Sequence, residues 1–143
     1  MKIGVTGTRN GMNAEQLKRF KFTLATMRQS QEDEFHHGDC VGVDVEAAAV
    51  ARSMGMRTIS HPPVDESLRA HHNSTVILEQ KTHFARNRDI VDDVDILFVI
   101  PWEDEWQSRG GTWYTHDYAE KKGVETITLW PSEEVHQLMR QGR

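Results

Sequence analysis

The chain has 143 residues, a formal net charge of −5 and a pI of about 5.9. A chain of this length forms one domain and buries roughly 68–70% of its unfolded surface, enough for a core without staples. The acidic balance argues against nucleic acid as a partner, which usually needs a basic face. No apolar run reaches the ~20 residues that span a bilayer, so no membrane association is expected. The lone Cys40 cannot form an internal disulfide, and Met1 to Val5 leads straight into a strand, so a cytoplasmic protein without a signal peptide is expected.

Lys2 to Thr8 reads as a buried strand, followed by the loop Arg9-Asn10-Gly11-Met12. Asn13 is a good N-cap with Gln16 in the capping-box position. Leu17, Phe20, Leu24 and Met27 then recur at helical spacing, which predicts an amphipathic helix over 14–30. A short strand spans Glu34 to His37, and an alanine-rich helix spans Val41 to Met54, with Val45, Ala48, Ala49 and Arg52 expected against the sheet and Gly55 closing it. A third strand, Arg57 to His61, stops at Pro62-Pro63. Residues 62–81 are polar and carry no clear periodicity; an irregular stretch of that length in a small domain is more often functional than idle. Thr82 caps a helix running to about Val91, and Ile96 to Ile100 is a fully apolar strand of the kind covered on both faces. Thr112 caps a helix over 112–122 that closes at Gly123; Glu125 to Trp130 is a fifth strand, and Ser132 caps a last helix ending near Arg140.

This alternation predicts an α/β fold: a Rossmann-like three-layer sandwich, a mostly parallel five-stranded sheet with helices on both faces. Ligands of such sheets bind beyond the carboxyl ends of the strands, where the winding reverses. Two strand–glycine–helix junctions qualify, at Thr6-Gly7-Thr8-Arg9 and at Arg109-Gly110-Gly111-Thr112. Each presents backbone N–H groups at a helix N-terminus, where the dipole favours an anion. A phosphate-bearing ligand is therefore expected there.

The motifs Thr6-Gly7-Thr8-Arg9, His37-Gly38-Asp39-Cys40-Val41-Gly42-Val43-Asp44, Ala85-Arg86-Asn87 and Gly110-Gly111-Thr112-Trp113 occur in this order. Together they resemble the SLOG superfamily, the Rossmann-like proteins related to Smf/DprA and to the LOG phosphoribohydrolases, and most closely its small stand-alone bacterial and phage members. The resemblance covers roughly residues 2–130. It implies a nucleotide or nucleotide-derived ligand at the strand ends and often a homodimer. It does not imply one activity: the superfamily contains N-glycosidases of nucleoside 5′-monophosphates, single-stranded DNA binders and sensors of nucleotide signals. The enzymes use an arginine that Arg86 matches by position, and a glutamate after a Pro-Gly-Gly-x-Gly-Thr turn. Aligned on Gly110-Gly111, Asp117 falls at the glutamate position; aligned on Gly111-Thr112, Thr115 does. Arg109 stands where the turn's proline would be.

The candidate ligand-binding residues are thus Gly7, Thr8, Arg9, Gly38, Asp44, Arg86, Asn87, Arg109, Gly110, Gly111 and Thr112. Arg86 and Asp117 are the candidates for catalysis. A guanidinium suits a phosphate, and a carboxylate suits the positive charge that develops on ribose during glycosidic cleavage. Each has a plainer reading: a cap, a solvated charge, or an i,i+4 pair such as Arg88–Asp92. Trp102 and Trp106 could stack on a base or simply pack, and Trp113, Tyr114 and Tyr118 suggest a homodimer surface. The 8 histidines show no zinc spacing, so no metal and no cofactor beyond the ligand are expected.

Overall fold

A computed structural model describes residues 1–132 of the chain. Strands β1 (Lys2–Gly7), β2 (Glu34–His37), β3 (Arg57–Ser60), β4 (Val76–Ile77), β5 (Ile96–Ile100) and β6 (Glu125–Thr128) form one sheet in the order β4-β3-β2-β1-β5-β6. Every pairing is parallel. Helices α1 (Ala14–Met27) and α2 (Val43–Ser53) pack on one face, and α3 (His83–Asp93) and α4 (Gly111–Lys122) on the other.

The strand period of two assigns side chains to two separate cores. Ile3, Val5, Phe98 and Ile100 meet Phe20 and Leu24 of α1 and Val43, Ala47, Val50 and Ala51 of α2. Leu97 and Val99 point the other way, onto Ile90 and Val91 of α3 and Ala119 of α4. Gly4 lies on this second face, where a Cβ would stand 3.0–3.1 Å from methyls of Val94 and Ile90. Its missing side chain lets α3 settle close to β1.

Four readings of the sequence change. The sheet has six strands, because Val76–Ile77 adds an edge strand that pairs only with Ile59 and Ser60. Two residues are too few to show a period in a polar stretch. The buried apolar face of α2 is Val43, Ala47, Ala48, Val50 and Ala51; of the expected residues Ala48 is buried, while Ala49 and Arg52 are exposed. The helix starts at Val43, not Val41, because the chain first turns through Gly42 at φ +93°. Thr112 does not cap α4; Gly110 occupies that position and Thr112 lies within the first turn. The expected helix beginning at Ser132 lies outside the described residues. The capping box of Asn13 and Gln16 forms as the sequence suggests, with Gln16 N donating to Asn13 Oδ1 at 2.8 Å and Asn13 N to Gln16 Oε1 at 3.0 Å.

The irregular stretch 62–81 is a strap tied to the end of β2. Asp39, itself left-handed at φ +52°, holds it with three groups. Its carbonyl accepts from Ala70 N at 2.7 Å, and its carboxylate accepts from His72 N at 2.8 Å and Arg69 Nε at 3.1 Å.

Gly42 meets two demands at once. Its φ is disfavoured for any residue with a Cβ, and that Cβ would lie 2.5 Å from the Arg9 carbonyl group. Gly42→Ala is expected to cost about 2–4 kcal/mol, the sum of a left-handed conformation and an overpacked backbone contact. Urea unfolding of the variant measures this; a loss below roughly 0.5 kcal/mol, the scatter of surface substitutions, would show that the two loops separate freely.

Candidate functional site

β1 and β5 are neighbours, with Gly7 in register with Ile100. The chain leaves β1 toward α1 on one face and β5 toward α4 on the other, so the winding reverses between them. A cleft of about 1080 Å³ opens at this point, between the loop after Gly7 and the loop from Trp102 to Thr112. Gly7, Thr8, Arg9, Asp44, Arg86, Asn87, Arg109, Gly110, Gly111, Thr112 and Asp117 all line it. Gly38 does not. It sits beneath the site, where a Cβ would collide with the Arg86 guanidinium and stand 2.7 Å from Asp44 Oδ2.

The N-terminus of α4 carries no side-chain cap. Gly110 has φ +103°, and no protein atom lies within 4 Å of the place a Cβ would take. Gly111 is helical, and its nearest neighbour at that place is Asn87 Nδ2 at 3.8 Å. Internal packing therefore requires glycine at neither position; only the φ of Gly110 does. Gly110, Gly111 and Thr112 line the cleft at the first helical turn, where N–H groups have no intrahelical partner. Arg9 and Arg109 are exposed at the mouth of this space.

The floor is different. Arg86 is 5% exposed and spends its donors on protein acceptors. Nη1 binds the carbonyls of Gly38 and, at 3.2 Å, His61. Nη2 reaches His83 Nδ1 at 3.0 Å and Cys40 Sγ at 3.5 Å, and Nε donates to Asn87 Oδ1 at 2.6 Å. The sequence suggests a guanidinium offered to a phosphate; in the fold Arg86 lines the cleft floor and braces it through these protein acceptors. Asp44 is buried beside it. Burial pushes its carboxyl up from the usual range to about 6, and Arg86 and the backbone N–H groups of Cys40 and Gly38 pull it only part of the way back. Burial also raises the Cys40 thiol, the opposite of what a nucleophilic cysteine needs.

Asp117 is half-exposed on the cleft wall, where its Oδ1 accepts from Trp106 Nε1 at 2.9 Å and from His116 Nδ1 at 2.8 Å. Trp102 is exposed on the opposite lip. Trp113, read as surface, is interior; its Nε1 donates to Glu103 Oε1 at 3.1 Å. Arg88 does not pair with Asp92. It donates to Tyr114 Oη at 2.9 Å, and Asp92 instead accepts from Tyr118 Oη at 3.0 Å. Two lining residues escaped the sequence reading. His83 partners Arg86, and Phe84 is an exposed ring 4.5 Å from that of Tyr114. The available signal for Phe84 was an aromatic at the start of an otherwise polar helix.

No family model and no curated protein sequence matches the chain. Solved structures do. The molybdenum cofactor binding protein from the phototrophic bacterium Rippkaea orientalis has a TM-score of 0.68 at 20% identity, over 98% of this chain and 82% of that one. DNA processing protein A from Streptococcus pneumoniae scores 0.67 at 18% identity, over 99% of this chain and 56% of its own, so the chain spans little over half of it. The same protein from Helicobacter pylori, solved for its single-stranded DNA binding mode, scores 0.67 at 17% identity over 99% and 73%. At these identities the likeness establishes the Rossmann-like fold, consistent with the SLOG-type fold that the motifs implied. Likeness to a single-stranded DNA binder gives no support for setting nucleic acid aside on net charge alone. Among the described residues no helix is long and apolar enough to cross a membrane.

A carboxyl with a raised folded-state pKa stabilises most below its unfolded pKa and loses that contribution as pH rises through the folded value. Asp44 should therefore cost the free protein up to about 3 kcal/mol as pH climbs from about 4 to about 6. Asp44→Asn is expected to be more stable than the parent at neutral pH, with the gap closing toward pH 4. Urea titrations across that range measure it, and a gap independent of pH would mean that Asp44 ionises without penalty.

Proposed function

We propose that the chain binds a nucleotide or nucleotide-derived phosphate ligand in the cleft at the carboxyl ends of β1 and β5. The observation that carries this reading is the uncapped N-terminus of α4, with open space over Gly110 and Gly111 and an arginine on either side of the mouth. The N–H groups of the first turn hold the phosphate, as helix N-termini hold anions generally. Arg9 and Arg109 supply mobile positive charge, and the Asn87 amide, close to Gly111, adds a donor. Asp44 takes hydrogen bonds from a sugar or base deeper in the cleft. Trp102 and Phe84 offer exposed ring faces for stacking. That one structural neighbour is a molybdenum cofactor binding protein agrees with a cleft of this shape taking an organic cofactor.

One observation favours a second reading. A buried carboxyl poised near neutrality can donate a proton to a departing base. In an N-glycosidase of nucleoside 5′-monophosphates, Asp44 would protonate the leaving base while Asp117 faces the positive charge on ribose. Arg86 would act through Asp44 as a positioning residue and touch no substrate.

Thermal melting against nucleotides, nucleoside monophosphates, dinucleotides and pterin phosphates tests the binding. A ligand at 100 times its Kd stabilises by about 2.7 kcal/mol, a shift of several degrees. Gly111→Ala should raise the melting temperature of the free protein, since alanine is better than glycine in a helix by roughly 0.5–1 kcal/mol. The same change should shrink the ligand shift. A variant that keeps the full shift places the phosphate elsewhere. Release of free base from a monophosphate, lost in Asp44→Asn, selects the enzyme; a gel-shift with single-stranded DNA that survives competition by mononucleotides selects nucleic acid.

A further inference from the structure

The geometry points to a second site, outside the cleft but adjoining its floor through the Arg86–His61 contact: a divalent transition-metal site formed by His36, His61 and Asp93. The three ligand atoms lie within 4.8 Å of one another. His36 is on β2, His61 just beyond the end of β3, and Asp93 is the last residue of α3. Parallel register produces the meeting. His36 pairs with Ile59, so His61, two residues on, faces the same side of the sheet, and that side carries α3. No sequence spacing announces it, because the residues come from three elements.

His36 and His61 are both buried, and His36 Nδ1 lies 2.8 Å from His61 Nε2. Glu34 Oε1 stands 2.9 Å from the other nitrogen of His36. A carboxylate there accepts a hydrogen bond from Nε2–H, which keeps the proton on Nε2 and leaves the Nδ1 lone pair aimed at His61. This is the carboxylate–histidine arrangement that sets the tautomer of metal-binding imidazoles. Two nitrogens on a tetrahedral zinc, each about 2.0–2.1 Å from the ion, sit about 3.3 Å apart, so a parting of about half an ångström admits the metal. Asp93 Oδ2 is 4.0 Å from His61 Nε2 and half-exposed, free to swing inward. It also lies at the C-terminal end of α3, where the helix dipole favours a cation. A pocket of about 370 Å³ lined by His61, Asp89 and Asp93 opens the site to solvent and leaves room for water as fourth ligand. Two cationic side chains line that pocket: Lys81 is paired with Asp89 at 2.5 Å, and Arg86 spends its donors on acceptors of the cleft floor. Two imidazoles, one carboxylate and one open position suit zinc among the common ions.

Calorimetric titration of chelator-treated, tag-free protein with zinc chloride tests the site, with cobalt chloride as a spectroscopic probe. One zinc per chain is expected, together with the visible bands of a tetrahedral cobalt ion. Asp93→Asn and Glu34→Gln change carboxylates outside the core and should each weaken zinc about tenfold or more. His71→Ala and His116→Ala should leave affinity unchanged. Failure of the parent to take up stoichiometric zinc overturns the inference. So does binding that Asp93→Asn leaves intact, or binding lost in the His71 or His116 variant.

Discussion

The guanidinium of Arg86 is the contact on which the rest of the site depends. Burying an unpaired charge costs several kcal/mol, so every donor must find an acceptor. The acceptors come from the end of β2 through Gly38, from the end of β3 through His61, and from α3 through His83 and Asn87. One side chain thereby fastens two strand ends to a helix on the far face of the sheet. Gly38 has no side chain because the guanidinium and Asp44 occupy that space.

The brace divides the cleft into a rigid floor and an open mouth. The floor holds a buried acid and a buried, hydrogen-bonded arginine, both expensive to desolvate and retained at the switch point of the sheet. Paired ionisable groups with perturbed protonation tend to mark functional sites. The mouth holds an uncapped helix N-terminus, exposed arginines and exposed rings. The strap 62–81 belongs to the floor as well, since Asp39 anchors it one residue after Gly38. Its polarity reflects hydrogen bonding to that anchor and the absence of any sheet face to cover.

The helices with clear periodicity and the apolar strands were legible from residues alone. Phe20 and Leu24 on α1, and the run Ile96–Ile100, have one reading each, because burial of an apolar stripe or a two-faced strand dictates it. The glycine turn before α4 was legible as a strand-to-helix junction at the end of the sheet. Less could be read where helix starts depend on distant contacts. Val43 opens α2 because Gly42 packs against the backbone of Arg9, a contact between residues 33 apart in sequence. Arg86 read as a ligand-binding arginine because nothing local reveals that five protein partners already surround it.

Local chemistry determined the order of elements, the parallel sheet and the two glycine junctions, since propensity, period and capping act over a few residues. Only the tertiary structure decided which charges are buried, which amides stay open and which histidines meet. Burial and convergence come from strand order and register. Those bring His36 to His61 and Arg86 to Gly38 across separations of 25 and 48 residues, beyond the reach of any local pattern.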